Sequence, residues 1–513
     1  MAEVFVEQSK LTTLGTQDSR LLFERSKRGK EAAMLPERAF PKEDLAANIP
    51  AKLLRKSEVD FPELSEPELV RYFVNLSKKN FSVDTHFYPL GSCTMKYNPK
   101  IHEDVAALSG FACVSPLQPE EEVQGVLRIF DDLAEALKQL TGMDAFTLQP
   151  AAGAHGELLG MMLARAYHAS RGEKRRNVVL VPDSSHGTNP ASAAQYGYEV
   201  VQVPSDERGR VCLAALEKLV SDRVACLMLT NPNTLGLFET DILKIRDLAH
   251  AKGALLYYDG ANLNALLGTV RPGDMGFDIV HLNVHKTFTT PHGGGGPGAG
   301  PVGVVKALEP FLPKPVVRRN GTRYHLDYDR PNSIGKIRSF FGNTGILIRA
   351  YVYIRMLGLE GLRQASHDAV LAANYLRKKL SSAYLNPHNE YCMHEFVLSA
   401  RDLAAEHHVH AHDIGKRLLD YGFHAPTVHF PLVVKEALMI EPTETESKET
   451  LDAFADAMLK ILKEIEETPD LVRKAPHTMP IRRPNEVEAA RKPILSSRDL
   501  KRDQSHNWSA HQP

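Results

Sequence analysis

The sequence predicts an α/β protein with a mostly parallel central sheet. Between residues 140 and 305, short runs of β-branched and apolar residues alternate with longer segments of helical periodicity. This alternation indicates parallel pairing, because a helix must return the chain to the same edge of the sheet before the next strand begins. The runs are almost uniformly apolar, which is typical of strands covered on both faces. We expect strands within 177–182, 199–203, 224–230, 254–258, 279–283 and 302–305.

The chain is long enough for more than one compact core, since it has 513 residues. Residues 1–100 are broken by prolines and predict an N-terminal extension at an interface, or a small helical domain. Residues 101–355 form the predicted large domain. Residues 356–470 mix helical and strand patterns, which indicates a smaller α+β domain. Residues 471–513 form a tail rich in Pro, Arg, Ser and His.

Positive and negative side chains almost cancel, with 62 Lys and Arg against 63 Asp and Glu. This balance argues against nucleic-acid and membrane-surface binding, which usually require a basic excess. The polar start lacks the apolar core of a signal peptide, and no apolar run is long enough to cross a bilayer. The five cysteines are scattered without CxxC spacing, as reduced thiols usually are. We therefore expect a cytoplasmic small-molecule enzyme.

A histidine-rich segment, 406–413, has the one pattern that suggests a metal. His408 and His412 would lie one turn apart on a helix, a spacing that can bind zinc. A solvated helix start gives the same pattern, and no cysteine or second carboxylate is placed to complete a site. We therefore expect no metal.

Polar residues gather where the predicted strands end, and ligands of such sheets bind beyond the carboxyl ends of the strands. A glycine-rich turn, 148–156, also opens a helix. Each residue has an ordinary explanation when taken alone, since strand-end aspartates often cap turns and lone lysines are usually solvated. The residues at these ends are His186, Asn231, Asp259, Asn262 and Lys286.

Together these residues match the needs of pyridoxal 5′-phosphate (PLP). Lys286 supplies the amine that forms a Schiff base with an aldehyde. Asp259 supplies the carboxylate that keeps the ring nitrogen protonated. His186 offers a flat ring to stack on the cofactor, and Asn231 and Asn262 are both candidates to donate a hydrogen bond to its phenolic oxygen.

The glycine-rich turn is expected to hold the phosphate through backbone N–H groups at a helix start, at Ala152, Gly153 and Ala154. It is not a nucleotide-binding loop, because no GK[ST] follows the glycines. A second glycine run, 293–300, lacks the spacing of a dinucleotide fingerprint. We expect it to let the backbone pass close to the cofactor, and a flexible linker is the alternative.

Longer strings around these residues resemble the glycine decarboxylase family, the P-protein of the glycine cleavage system. They are Leu148–Glu157, His186–Ser192 and Asn283–Gly298. Two further strings, Asp84–Pro99 and Arg330–Gly335, resemble subunit 2 of the form that is split into two chains. The resemblance extends to about residue 495. It implies a fold-type I PLP enzyme.

The resemblance also implies an activity and partners. Glycine would be decarboxylated and its aminomethyl group passed to the lipoyl arm of H-protein, which makes the chain a glycine dehydrogenase, an oxidoreductase. Lys286 would act as catalytic proton donor or acceptor, and Asn283 and His285 as phosphate contacts or their supports. A separate subunit 1 would complete a heterotetramer, with T-protein and L-protein acting in the same system.

Two alternatives remain open at this point. One is another fold-type I enzyme, such as a desulfurase or an aldolase. A desulfurase needs a nucleophilic cysteine on a mobile loop, and Cys392, in a strand-like segment, is the one cysteine of the small domain. The other is a non-catalytic assembly subunit, which would have no reason to keep both Lys286 and Asp259.

Overall fold

The computed structural model describes residues 20–32, 37, 39, 41, 43–57, 59, 61–115, 118–292, 298–339 and 342–496. Most of the predicted second glycine run, 293–297, and the end of the predicted tail, 497–513, lie outside the described residues. The chain divides into two compact units, 1–81 and 82–513.

The smaller unit contains short helices among its described residues. In α3, Glu68 accepts hydrogen bonds from the amide and hydroxyl of Ser65, which satisfies a free donor at the helix start. The helices are α1 (Leu22–Arg25), α2 (Leu45–Asn48) and α3 (Glu66–Ser77), with a 3-10 turn at Ala51–Leu53. Residues 82–100, which the sequence-based division placed in the N-terminal segment, belong to the larger unit.

The larger unit contains a seven-stranded sheet in the order β1-β7-β6-β5-β4-β2-β3. Strands β3, β2, β4, β5 and β6 pair in parallel, and β7 pairs antiparallel to both β6 and β1. The predicted α/β class and mostly parallel sheet are therefore confirmed. The strands are β1 (Ala145–Thr147), β2 (Val178–Pro182), β3 (Glu199–Val203), β4 (Val224–Thr230), β5 (Leu255–Gly260), β6 (Ile279–Leu282) and β7 (Val302–Val304).

Helices cover this sheet and continue into the rest of the unit. Helix α12 runs across the predicted boundary at residue 355, and its backbone is non-helical only at Gly358 (φ 60°). The helices are α4 (Lys100–Ala106), α5 (Ser109–Ala112), α6 (Gln124–Thr141), α7 (Gly153–Ser170), α8 (Thr188–Gln195), α9 (Leu213–Leu219), α10 (Ile242–Ala251), α11 (Val284–Thr287), α12 (Thr344–Leu380), α13 (Arg401–His407), α14 (Ala411–Asp420), α15 (Lys448–Glu467), α16 (Pro469–Arg473) and α17 (Glu486–Arg491).

Helix α7 lies very close to the sheet because one of its faces carries glycines. A Cβ on Gly160 would lie 2.2 Å from the Tyr257 ring, and one on Gly156 would lie 2.9 Å from the Gly300 carbonyl oxygen. Real Cβ atoms do not approach other atoms so closely, so glycine is required at both positions. The close contact brings the first turn of α7 over the ends of the central strands.

Two smaller sheets lie among the described residues of the larger unit. Strands β8 (Val316–Asn320) and β9 (Arg323–Asp327) form a hairpin. Strands β10 (Phe396–Ser399), β11 (Thr427–Val428) and β12 (Ala437–Ile440) form an antiparallel sheet in the order β10-β12-β11. Short 3-10 helices lie at Glu120–Glu122, Leu263–Ala265, Pro272–Met275 and Lys306–Phe311.

The histidine-rich segment does not form one helix. His408 has a left-handed backbone (φ 55°) that ends α13, and α14 begins only after His410. The expectation that His408 and His412 lie one helical turn apart is therefore wrong. Within the described residues, no helix has the length and apolar character needed to cross a bilayer.

Candidate active site

A cavity of about 240 Å³ opens at the carboxyl ends of the parallel strands. It brings together nine of the ten residues predicted from the sequence, which the strand ends and the first turn of α7 supply. They are Ala152, Gly153, Ala154, His186, Asp259, Asn262, Asn283, His285 and Lys286. Further lining residues, which the sequence did not single out, include Ser92, Glu157, Thr188 and Thr230.

Asn231 is the predicted residue that does not line the cavity. Its side-chain oxygen accepts a 3.1 Å hydrogen bond from the Glu239 amide, so the loop after β4 uses this side chain. Asn262, the other candidate for the same role, does face the cavity. Its Nδ2 donates to the Pro232 carbonyl over 3.0 Å, and its buried Oδ1 has no partner.

Lys286 lies in the one-turn helix α11 directly after β6. Its Nζ donates a 2.7 Å hydrogen bond to the carbonyl oxygen of Ser92, a residue 194 positions away in the sequence. The amine therefore has a defined position in the cavity. The role of Ser92 had no signal that sequence reasoning could use, because any residue can offer a carbonyl.

The register of the sheet places a polar residue on each side of Asp259. Thr230 on β4 is its partner in one direction, and His281 on β6 in the other. The Thr230 hydroxyl donates to Oδ2 of Asp259 over 3.2 Å, and His281 Nε2 lies 3.4 Å from Oδ1. Asn189 adds a 3.0 Å bond to Oδ2 and the Ala261 amide a 3.0 Å bond to Oδ1. The carboxylate is thus fixed on both oxygens.

These contacts determine the charge of Asp259. Burial alone would raise its pKa, but His281, the Ala261 amide and Lys286 outweigh burial and hold the pKa below its usual value. Asp259 is therefore ionised at neutral pH although the side chain is almost fully buried.

His186 is linked to a buried acid through a threonine. The Thr188 hydroxyl donates to Oε1 of Glu157 over 3.0 Å, and Oγ1 of Thr188 lies 3.0 Å from Nδ1 of His186. Desolvation in the cavity and the nearby Lys286 lower the pKa of His186, so its ring is neutral. A neutral, oriented imidazole is suited to stack on a flat ligand.

Glu157 is a site residue that sequence reasoning missed. Burial and the repulsion of Asp259 raise its pKa to about 8, although Thr188 and Ser192 donate hydrogen bonds to it. Two neighbouring carboxyl groups with opposite shifts are typical of an active site. The available signal was a lone acid in the otherwise apolar stretch 156–164 of a helix.

The start of α7 provides a cradle that fits a phosphate. No side chain caps this end at Ala152, so backbone N–H groups remain for a ligand. A Cβ on Gly153 would lie 2.2 Å from Oδ1 of Asn283, so any larger residue would push into the cradle. Asn283 Oδ1 and His285 Nδ1 are buried here without hydrogen-bond partners. Such unpaired polar atoms are uncommon in proteins and fit a polar ligand.

Comparison with known proteins gives this cavity its context. The family model "Glycine cleavage system P-protein" matches residues 38–319, more than half of the chain, and "Glycine dehydrogenase, C-terminal domain" matches 365–480. The chain belongs to the glycine cleavage system P-protein family. P-protein relatives include the "Probable glycine dehydrogenase (decarboxylating) subunit 2" of Caldanaerobacter subterraneus subsp. tengcongensis. The two sequences are 58% identical over 476 residues, and the match covers 93% of this chain and 98% of the relative.

A second P-protein relative gives the same result. The protein of the same name from Exiguobacterium sibiricum is 59% identical over 480 residues, covering 94% of this chain and 97% of the relative. A solved structure of glycine decarboxylase (P-protein) in inhibitor-bound form has a TM-score of 0.70 at 23% identity, covering 81% of this chain and 94% of that one. At that identity the structural match confirms the fold.

Cys392, the cysteine considered for a desulfurase, is unsuited to that role in this member of the P-protein family. Its side chain is buried just ahead of β10, and burial raises the pKa of its thiol to about 12. The thiolate is the nucleophilic form of cysteine, so this thiol is unreactive at neutral pH. Cys392 therefore cannot serve as the nucleophilic cysteine that a desulfurase requires.

Proposed function

We propose that this chain binds PLP through Lys286 and decarboxylates glycine, passing the aminomethyl group to the lipoyl arm of H-protein. It would act as the catalytic subunit 2 of a glycine dehydrogenase (decarboxylating), with a separate subunit 1. The observation that carries the proposal is that the amine of Lys286 and the ionised carboxylate of Asp259 face one cavity. This pairing also argues against a non-catalytic assembly subunit.

PLP, when bound, would supply a protonated pyridine ring that accepts the electron pair released as carbon dioxide leaves the α-carbon of glycine. Asp259 would keep the ring nitrogen protonated, because its fixed negative charge favours the cationic form. Three hydrogen-bond donors and the adjacent His281 ring hold that charge in place, so it does not have to reorganise during the reaction.

Other residues of the chain would bind and orient. The free N–H groups at the start of α7 would hold the phosphate, with Asn283 and His285 beside it. His186 would stack on the ring, and Asn262 would contact the phenolic oxygen. Lys286 would donate or accept a proton at Nζ, since amines near a reacting centre serve as acids and bases.

The partners and location are part of the proposal. The names of the relatives, which specify a subunit 2, support a complementary subunit 1. H-protein, T-protein, L-protein and a heterotetrameric assembly follow from the proposed pathway. All five cysteines are free thiols, which supports a cytoplasmic location.

Absorbance and isotope exchange test the proposal. After addition of PLP, the purified protein should develop an absorbance band near the visible edge, and Lys286→Ala should abolish it. Lys244→Ala, which removes an exposed lysine of α10, is the matched control and should keep the band. A wild-type protein that shows no band with PLP overturns the proposal.

Exchange of labelled bicarbonate into glycine then tests the reaction. We expect full exchange only when lipoylated H-protein and subunit 1 are both present, because the chain alone should be weakly active or unstable. Full exchange without subunit 1 would exclude the two-subunit part of the proposal. Release of sulfide from cysteine, with no exchange into glycine, would favour a desulfurase instead.

A further inference from the structure

Residues 91–94 form a turn with an unusual backbone. Ser92 and Thr94 have φ angles of 65° and 50°, in the left-handed region that favours glycine. Such a conformation is unfavourable for a residue with a side chain, so the surroundings must hold it. The turn is therefore maintained by contacts outside itself.

Two buried glutamates supply these contacts. The Ser92 amide donates to Oε2 of Glu395 over 2.7 Å, and the Thr94 amide donates to Oε2 of Glu441 over 2.9 Å. Both glutamate side chains are fully buried. Glu395 precedes β10 and Glu441 follows β12, and the antiparallel register of these strands places the two side by side.

The chain just before the turn is attached to the same sheet. Leu90 forms an antiparallel bridge with Ile440, and the Gly91 amide donates to the Met439 carbonyl over 3.3 Å. A Cβ on Gly91 would lie 2.2 Å from Cγ of Met439, so only glycine fits there. The turn is thus clamped against the end of the β10-β12 sheet.

The clamped turn contributes Ser92 to the cavity lining, and the Ser92 carbonyl accepts the hydrogen bond from Lys286 Nζ. The amine also acts electrostatically on the two glutamates. Burial raises the pKa of Glu441 to about 7 and that of Glu395 well above its usual value, while Lys286 lowers both. The turn and its two acids therefore interact with the lysine both directly and through charge.

We propose that Glu395 and Glu441 are positioning residues that hold the Ser92 carbonyl as a docking point for the Lys286 amine whenever this amine is not bonded to the cofactor. The inference rests on the proposed function of Lys286. When a substrate amine replaces the lysine, a new carbon–nitrogen bond forms, the bond to Nζ breaks, and the two substrate protons end on Nζ. The docked amine then stays close to the reacting carbon and can return.

A metal site formed by the same residues is the main competing explanation. His394 Nε2 lies 3.9 Å from Oε1 of both Glu395 and Glu441, and all three side chains are buried. A metal-binding histidine normally has its second nitrogen fixed by a hydrogen bond, whereas Nδ1 of His394 has no partner. The other carboxylate oxygens already hold the turn. Nε2 of His394 and Oε1 of Glu441 also lack partners, so a metal assay is part of the test.

Two measurements on the full-length, cofactor-free chain test the inference. In hydrogen exchange, the amides of Ser92 and Thr94 should be protected, and Glu395→Ala and Glu441→Ala should remove the protection of their own partner. In competitive acylation with acetic anhydride, each Ala variant should raise the rate at Lys286 by about fivefold, because a hydrogen bond that restrains the amine is weakened. Glu395→Gln and Glu441→Gln keep an acceptor oxygen and should stay within about twofold of the wild type.

Glu239→Ala is the matched control, since Glu239 is a buried acid that accepts the Val211 amide outside this turn. It should leave Lys286 acylation unchanged. Rapid exchange of the Ser92 and Thr94 amides in the wild type would refute the clamp. This result does not depend on whether any variant folds. Wild-type acylation rates in folded Ala variants, or a stoichiometric divalent metal in the purified protein, would also refute it. Neither measurement uses PLP, so failure here is distinct from a missing cofactor band.

Discussion

Asn189 donates a hydrogen bond of 3.0 Å from Nδ2 to Oδ2 of Asp259. This bond joins the first turn of α8 to the end of β5. Because Asp259 is ionised, the hydrogen bonds that it accepts are charge-assisted. Such bonds are stronger than neutral ones and favour the ionised acid. The negative charge at the base of the cavity is therefore a property of several elements together.

Replacing Asp259 by Asn should remove this charge while nearly keeping the shape. We expect glycine–bicarbonate exchange to fall by about 100- to 1,000-fold, as when one preorganised electrostatic group is lost from an active site. Asp278→Asn is the control, because Asp278 accepts the Leu256 amide at the amino end of β6, away from the cavity. It should keep exchange within about twofold. Equal losses in both variants would contradict a specific role for Asp259.

Glu157 should make stability depend on pH. Because its pKa is about 8 in the folded chain and near 4.5 when unfolded, the folded state keeps a proton that the unfolded state releases. Stability of the wild type relative to Glu157→Gln should therefore fall as pH rises from about 5 to about 8, by at most about 1.4 kcal/mol per pH unit. Above about pH 8 the difference should level off. Urea unfolding across this range measures it.

Glu239 offers a comparison for the same experiment. It is buried outside the cavity, and burial raises its pKa to about 7. The stability difference between the wild type and Glu239→Gln should level off at a pH about one unit lower than the difference for Glu157→Gln. Parallel stability curves for the wild type and Glu157→Gln would show that Glu157 is ionised in the folded chain.

Gly153→Ala should weaken cofactor binding. The new Cβ would lie 2.2 Å from Asn283 Oδ1 and 2.9 Å from its Cγ, so a buried side chain must move into the phosphate cradle. We expect the affinity for PLP to fall by about tenfold or more, which titration by absorbance would detect. Gly125→Ala, whose Cβ meets no atom within 4 Å at the start of α6, should leave it unchanged. An unchanged affinity in Gly153→Ala would argue against the cradle.

Lys96→Met should destabilise the protein strongly. Lys96 is almost fully buried, forms a 2.6 Å ion pair with Glu444 and donates to the Thr287 carbonyl over 3.1 Å. Without Lys96, the buried carboxylate of Glu444 has no neighbouring positive charge. We expect the free energy of unfolding, measured by chemical denaturation, to fall by about 3–5 kcal/mol. Adding Glu444→Gln should recover part of that loss.

The exposed pair of Lys100 and Asp84 provides the control for this prediction. It also has a 2.6 Å separation, but both side chains are more than half exposed. Lys100→Met should therefore cost less than about 1 kcal/mol. Similar losses of stability in Lys96→Met and Lys100→Met would mean that burial of the ion pair does not determine how much its removal destabilises the protein.

The central strands could be predicted because their apolar runs are long and end in turn residues. The segment 224–230 coincides with β4, and the segment 199–203 with β3. The three-residue strand β1 was missed because it has a single β-branched residue, whereas the equally short β7 has two. The hairpin β8–β9 was missed although its two-residue turn begins with a left-handed glycine, Gly321, which is a usual hairpin signal.

The site was predictable where its residues lie at strand ends or at the glycine-rich start of α7. Asp259 lies near the end of β5, and His186 and Lys286 follow β2 and β6, so the order of strands brings their carboxyl ends together. Asn231 also follows a strand, but the loop beyond β4 uses its side chain. The roles of Glu395 and Glu441 could not be predicted from the sequence, because their hydrogen bonds to Ser92 and Thr94 depend on the pairing of β10 with β12.

The clamp on the 91–94 turn also sets when during translation the site can be completed. Ser92 and Glu395 are 303 positions apart, and Thr94 and Glu441 are 347 apart. Closing such long loops has a large entropic cost, and neither loop can close before its second residue has left the ribosome. A growing chain therefore exposes Lys286 well before its docking carbonyl is held. Stable capture of the lysine by Ser92 must wait until most of the polypeptide has been synthesised.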